Sequence, residues 1–274
     1  MTPKNRERAY EKRRYEEWQQ RLTAKQARTR KIRQRLAIGG GAVALVLVVV
    51  AAFLLVNEND DDEVTPAAGA SPSATASAAA STCPAVDVKA PESPKQFDAV
   101  PDKGLAGGKD WTLGLKTTCG DITIELDGKA APQAVSSMIQ LARDGFFEGS
   151  PCHRLTTAEQ FEVLQCGDPT GTGTGSPGYS YGPIENAPKD ELYPEGTVAM
   201  ARAGGDGKSM GSQFFLVYGD TKIKNDDAGG YTVLGRITKG LDVVKKVAEG
   251  GVSGGSQDGS PVSAVSIKSA EVTG

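Results

Sequence analysis

The chain has one histidine in 274 residues, no C-x-x-C pair, and no charge at all between Leu36 and Val56. Each scarcity excludes something. A Ser/His/Asp triad would have to use His153. That residue stands beside Arg154 in a segment that alternates like a strand, which turns the two side chains to opposite faces. A cell-envelope hydrolase therefore finds no visible nucleophile–base pair. Zinc sites favour closely spaced ligand pairs; Cys83, Cys119, Cys152 and Cys166 offer none, so no metal is expected. Residues 64–82 are almost entirely Ala, Ser, Thr, Gly and Pro, too poor in large apolar groups to fold alone.

The charge that is present is uneven. Residues 1–35 hold thirteen Lys/Arg against four Glu, a local +9; with −3 overall, the other 239 residues carry −12. The charge-free run of 21 residues follows, mostly Val, Leu and Ala. At about 1.5 Å per residue it reaches about 30 Å, the thickness of a hydrocarbon core. Arg28, Arg30, Lys31, Arg33 and Arg35 precede it; Glu58, Asp60, Asp61, Asp62 and Glu63 follow. By the positive-inside rule the N-terminus is cytoplasmic and everything after Val56 is exported. Ala68-Gly69-Ala70 has the form of a signal-peptidase site, but the basic region and the apolar run are both too long for a cleaved signal. A lipid anchor at Cys83 would lie 27 residues past the run. An uncleaved, single-pass membrane anchor is the reading adopted.

Four parts follow: a basic cytoplasmic tail (1–35), a transmembrane helix (36–56), an Ala/Ser/Pro-rich linker (57–108) and a folded head (109–274). Tyr15, Trp18 and Leu22 would share one face of a helical tail. It reads as a topology determinant lying along anionic lipid rather than a docking helix for a partner or nucleic acid. The linker gives reach, with Pro84, Pro91, Pro94 and Pro101 making its last part an extended strap. All four cysteines fall on the exported side, where an even number favours disulfides. Of three possible pairings, Cys152–Cys166 suits a hairpin flanked by the two residues. Cys83–Cys119 would then staple the strap to the head.

In the head, Trp111, Leu113 and Leu115 alternate, Cys119-Gly120-Asp121 turns, and Ile122, Ile124 and Leu126 alternate again: a hairpin. Pro132 opens a helix with Val135, Met138, Ile139 and Ala142 on one face and Gly145 as its stop. Strand-like runs recur at 163–166, 197–202, 213–217, 232–235 and 262–267, with a second helix at 240–248. Many short strands and two helices predict a mainly β, closed antiparallel barrel capped at its ends. Gly173-Thr174-Gly175-Ser176-Pro177-Gly178 matches the dinucleotide pattern G-x-G-x-x-G, but Pro177 removes an amide from the helix that pattern requires. Gly207-Lys208-Ser209 lacks the first glycine of a phosphate loop, Arg202 standing there, and reads as a turn.

Two stretches about forty residues apart carry the chemistry. One is Cys152-His153-Arg154-Leu155 with Gln165-Cys166-Gly167-Asp168; the other is 196–204, Gly-Thr-Val-Ala-Met-Ala-Arg-Ala-Gly, running on to Gly211-Ser212-Gln213-Phe214-Phe215. Several motifs in this order resemble the cyclophilin family of peptidyl-prolyl isomerases, from about Trp111 to the C-terminus. The resemblance implies an eight-stranded barrel with two capping helices and a catalyst without cofactor. It implies Arg154 as the catalytic arginine, Gln165 as the glutamine that orients it, and Phe215 as the pocket floor. Gln213 would be a second polar contact, and Ala201, Arg202 and Ala203 the segment along which substrate lies. His153 matches a structural histidine.

The chain departs from the family pattern in four places. Three extra residues fall between Arg154 and Gln165, so the pocket aromatic is either Phe161 or displaced by Glu162, with Val163 in the usual methionine place. Arg202 replaces an asparagine. Two extra residues fall between Ala203 and Gly211. The tryptophan and histidine of the far wall are missing; Tyr231 best matches the histidine, and Asp226-Asp227 lie near the lost tryptophan. Weak sensitivity to the family's cyclic-peptide inhibitor follows. The reading is a membrane-anchored isomerase acting on Xaa-Pro polypeptides during folding of exported proteins, with no nucleic-acid partner. The alternative is a non-catalytic prolyl-peptide scaffold or holdase.

Overall fold

The computed structural model describes Cys83 and residues 90–274. The expected tail and membrane span, and most of the linker, lie outside those residues. Among the described residues no helix is long and apolar enough to cross a membrane.

The head begins with the predicted hairpin. Strand β1 (Asp110–Thr117) pairs antiparallel with β2 (Asp121–Asp127), Leu113 opposite Ile124. Alternation sends Trp111, Leu113, Leu115, Ile122, Ile124 and Leu126 into the core. Helix α1 (Pro132–Arg143) starts on its proline and buries Val135, Met138, Ile139 and Leu141. Its first amides, which have no partner within the helix, are satisfied from a distance: Gln133 N and Ala134 N donate to the two carboxylate oxygens of Glu185 at 3.1 and 3.0 Å. Gly145, with φ +64°, follows as the stop.

Strands β3 (Arg154–Ala158) and β4 (Phe161–Cys166) form the second hairpin. Then come β5 (Leu192–Tyr193), β6 (Thr197–Met200), β7 (Phe214–Val217), β8 (Thr221–Lys222), β9 (Val233–Lys239), α2 (Leu241–Glu249), β10 (Asp258–Gly259) and β11 (Ile267–Thr273). Nine strands make one antiparallel sheet in the order β10-β3-β4-β7-β6-β9-β2-β1-β11; β5 and β8 pair separately. The sheet curls into a half-barrel, and the segments leading into β3 and β11 come together. There the contact is a bridge between Pro151 and Ser266, with Cys152 N donating to Val265 O and Ile267 N to Ser150 O, both at 2.9 Å.

The antiparallel curl and the two helices match expectation; the strand count and a continuous closing ladder do not. The predicted strand at 262–267 explains the difference. Val265 and Ile267 are buried in alternation, but Pro261 has no amide to donate and Val262 N turns back to Gly251 O. Burial can alternate with period two where no ladder runs. Strand 197–202 likewise stops at Met200, which leaves Ala201–Ala203 as an open segment.

Both disulfides form as paired above, Cys83–Cys119 and Cys152–Cys166, and no described cysteine is free. The strap lies against the head. Phe97 N donates to Pro177 O at 2.8 Å, and its ring packs on Phe146 and Tyr179. Lys95 Nζ donates to Asp144 O, and a 3-10 turn at Lys103–Ala106 is fastened to α1 through Ser136.

Candidate functional site

The register of β3, β4, β7 and β6 decides what stands together. Arg154 is opposite Gln165, Gln165 opposite Phe215, and Phe215 opposite Ala199. Because facing residues in adjacent strands share a sheet face, the arginine, the glutamine and the phenylalanine form one row. Their neighbours in sequence (Leu155, Leu164, Cys166, Phe214 and Leu216) point the other way, into the main core. The row's own face carries a smaller apolar cluster of Val163, Tyr193, Ala199, Phe215 and Val217. The site thus rests on a packed floor. Gly167 ends β4 with φ +86°, and a Cβ there would stand 2.4 Å from Ser212 O, so only glycine lets the chain leave the row at that point.

A cavity of about 160 Å³ opens above this floor, lined by Arg154, Phe161, Val163, Gln165, Ala201, Arg202, Phe215, Ile223 and Tyr231. Phe215 is nearly buried and meets Tyr231 edge-on, ring centroids 5.6 Å apart. A neighbouring cavity of about 340 Å³ shares Gln165, Ala201 and Arg202 and adds Ala203, Gln213, Tyr179 and the 173–176 loop. Every residue singled out for the site lines one cavity or the other.

Polar groups are held in a chain. Arg154 Nη1 donates to Gln165 Oε1 at 3.2 Å, Gln165 Nε2 to Gln213 Oε1 at 2.9 Å, and Gln213 Nε2 to the carbonyls of Gly173 and Gly175, each at 3.1 Å. The glycine-rich loop has a role at this site: its carbonyls orient Gln213. On its other edge Arg154 donates from Nε and Nη2 to Asp258, both at 2.7 Å. That hydrogen-bonded carboxylate raises the arginine's pKa, and the arginine holds the Asp258 carboxyl below its ordinary range.

The altered wall also resolves. Phe161 faces the cavity, while Glu162 lines a separate groove with Thr157 and Tyr218. Thr156 fixes this choice, its hydroxyl donating to Phe161 O and accepting from Val163 N. Arg202 was expected to lie along the substrate, but its guanidinium is fully engaged. It chelates Asp226 at 2.9 and 2.8 Å, donates to the carbonyls of Gly230, Ala203 and Gly229, and stacks 4.6 Å from the Tyr231 centroid. With its side chain 1% exposed, Arg202 holds the far wall up rather than offering donors to a ligand.

His153 stands outside the row. Its Nδ1 is buried without a hydrogen-bond partner. Burial lowers its pKa, opposed by the nearby Asp168, so the ring is neutral at pH 7. Sequence reasoning missed Ile223 and Asp258. Ile223 is one apolar residue in a polar loop, and Asp258 lies in a glycine-rich turn whose pairing with β3 has no local signature.

Known proteins resemble this chain in sequence. The model of the family "Cyclophilin type peptidyl-prolyl cis-trans isomerase/CLD" matches residues 112–272. A probable peptidyl-prolyl cis-trans isomerase B of Mycobacterium tuberculosis is 44% identical over 169 residues, covering 58% of this chain and 53% of that protein. A peptidyl-prolyl cis-trans isomerase of Helicobacter pylori is 41% identical over 140 residues, 50% of this chain and 80% of the other. A solved Cryptosporidium parvum cyclophilin type isomerase, in the presence of the dipeptide Ala-Pro, aligns with TM-score 0.47 at 25% identity, over 60% of this chain and 99% of that one. The chain spans about half the length of the mycobacterial relatives it matches.

Proposed function

The chain belongs to the cyclophilin-type peptidyl-prolyl cis-trans isomerase family, and from that premise we propose that it accelerates cis/trans exchange of Xaa-Pro bonds. The observation that carries the reading is the cross-strand row Arg154–Gln165–Phe215 beside a small apolar cavity.

The barrier to rotation is about 18–20 kcal/mol because the nitrogen lone pair conjugates with the carbonyl. Lowering it needs no nucleophile. The prolyl ring sits on Phe215 between Val163, Phe161, Ile223 and Tyr231, which fixes one side of the bond while the other turns. Three of the five Arg154 N–H groups are held by Asp258 and Gln165, leaving one on each terminal nitrogen for a ligand. A donor fixed near the prolyl nitrogen takes up its lone pair as the bond twists. That interaction is stronger in the twisted state than in either planar one, which is what catalysis requires. Gln165 and Gln213 hold the flanking peptide across Ala201–Ala203.

The apolar run at 36–56 and the charge reversal across it are what support placing this activity on the outer face of a membrane, acting on exported polypeptides. The pair of disulfides agrees with an oxidising compartment.

Two-dimensional exchange NMR on a short Ala-Pro peptide tests the reading, with the full chain in detergent beside its Arg154→Ala variant. Faster exchange in the wild type, reduced by about two orders of magnitude in the variant, is the expected result. Peptide binding without acceleration by the wild type would make the chain a binding module instead.

A further inference from the structure

We infer that Asp258 is a positioning residue for the isomerase reaction, aiming the Arg154 guanidinium from the side opposite Gln165; the inference rests on the activity proposed above.

The geometry is that of a clamp. Asp258 takes Nε and Nη2 of Arg154 in a two-pronged contact, each bond 2.7 Å, while Gln165 takes Nη1 from the adjacent strand. A planar fork gripped at two edges has no free rotation left, and its two unengaged N–H groups keep a single direction. Neither grip suffices alone. The Gln165 contact is a single bond of 3.2 Å to a neutral acceptor, about which the guanidinium can turn. The Asp258 contact is charge-assisted and shorter, and it fixes the plane.

The fold brings Asp258 to this place through its backbone. Strand β10 has two residues, with Asp258 opposite Thr156 and Gly259 opposite Leu155. Arg154 is therefore the diagonal neighbour, at a separation that a long side chain spans. The loop on which Asp258 sits is sewn down on both sides. Thr157 N donates to Gln257 O at 2.9 Å, Ser253 N to Ser260 O at 2.8 Å, and the Ser256 hydroxyl to Asp258 O at 2.8 Å. Asp258 itself is half exposed, and its carboxylate oxygens take Nε and Nη2 of Arg154. Its conspicuous engagement is with the arginine of the row.

Solvent weakens the pair, the two side chains being 37% and 53% exposed. Its worth lies in direction rather than in stability. Asp258→Ala should leave thermal unfolding nearly unchanged and lower kcat about tenfold with KM within about twofold, because peptide contacts stay while the donor loses its aim. Asp258→Asn, whose amide oxygen still accepts one N–H, should recover part of the loss. Each is measured in the full chain on the Ala-Pro peptide. In parallel, the Arg154 Nε–H resonance, assigned by its disappearance in Arg154→Lys, should move to the position of solvated arginines in Asp258→Ala. An active wild type with undiminished kcat in Asp258→Ala, or an unmoved Nε–H resonance, overturns the inference alone. A wild type that does not accelerate exchange removes the isomerase reading and this inference together.

Discussion

Replacing Arg154 by lysine separates two properties that the arginine combines, charge and directed donation. Lysine keeps the positive charge, but its ammonium is a compact point donor with three rotating N–H groups. It cannot reproduce the planar contact in which Arg154 gives two parallel bonds to Asp258, one to Gln165, and still presents donors to a ligand. The ammonium would settle on Asp258, the stronger of the two acceptors, and turn from the cavity. The substrate then loses one hydrogen bond from a charged donor in the twisted state, worth about 1.5–3 kcal/mol. At about 1.4 kcal/mol per decade this is a fall in kcat/KM of about 10- to 150-fold, with the wild-type fold. Exchange NMR over a range of peptide concentrations reads both constants. Activity within twofold of wild type would show that a positive charge near the bond is sufficient, and the directed-donor account would be wrong.

Other outcomes follow from the same packing. Phe215→Ala empties the floor under Val163, Tyr193 and Tyr231 and should cost about 3–5 kcal/mol in denaturant unfolding, with a large rise in KM. Replacing Cys152 and Cys166 together by serine opens a loop of 14 residues' separation and should lower stability by about 3 kcal/mol on the chain-entropy account. It also unties the base of the hairpin that pairs Arg154 with Gln165, so activity should fall with stability. The sole histidine gives a clean pH signature. Burial depresses its pKa in the folded state below the ordinary value of 6.5. Its contribution is therefore full above pH 6.5 and is lost as pH falls from there through the depressed value, because the unfolded chain binds the proton first. His153→Gln should flatten that part of the stability profile.

The site was legible in sequence to the extent that it is built from strand neighbours. Alternation set His153 on the face opposite Arg154, and the hairpin read from the cysteines set Arg154 and Gln165 on adjoining strands. The order of motifs then related them to Phe215 and Gln213. Both cysteine pairs were readable because a hairpin and an even number leave few choices. What escaped was whatever depends on distant segments meeting. Asp258 reaches Arg154 across 104 residues, and Arg202 finds Asp226 across 24. The strand expected at 262–267 failed for a related reason. Its side chains alternate as a strand's do, but their burial comes from segments that supply no ladder.

The Cys83–Cys119 bridge gives the head a particular mechanical character. A pull on the chain ahead of Cys83 has two routes into the fold, through the strap or through the covalent bridge. The bridge is much the stiffer, so tension passes directly to the turn between β1 and β2. Residues 90–108 lie within the bridged loop and stay slack, and with them the Phe97 contact that braces the 176–179 segment beside the larger cavity. In sheet order the point of entry is separated from β3, β4 and β7 by β9 and β6. A head held on a moving tether would keep its cavities in shape while the strap carries none of the strain.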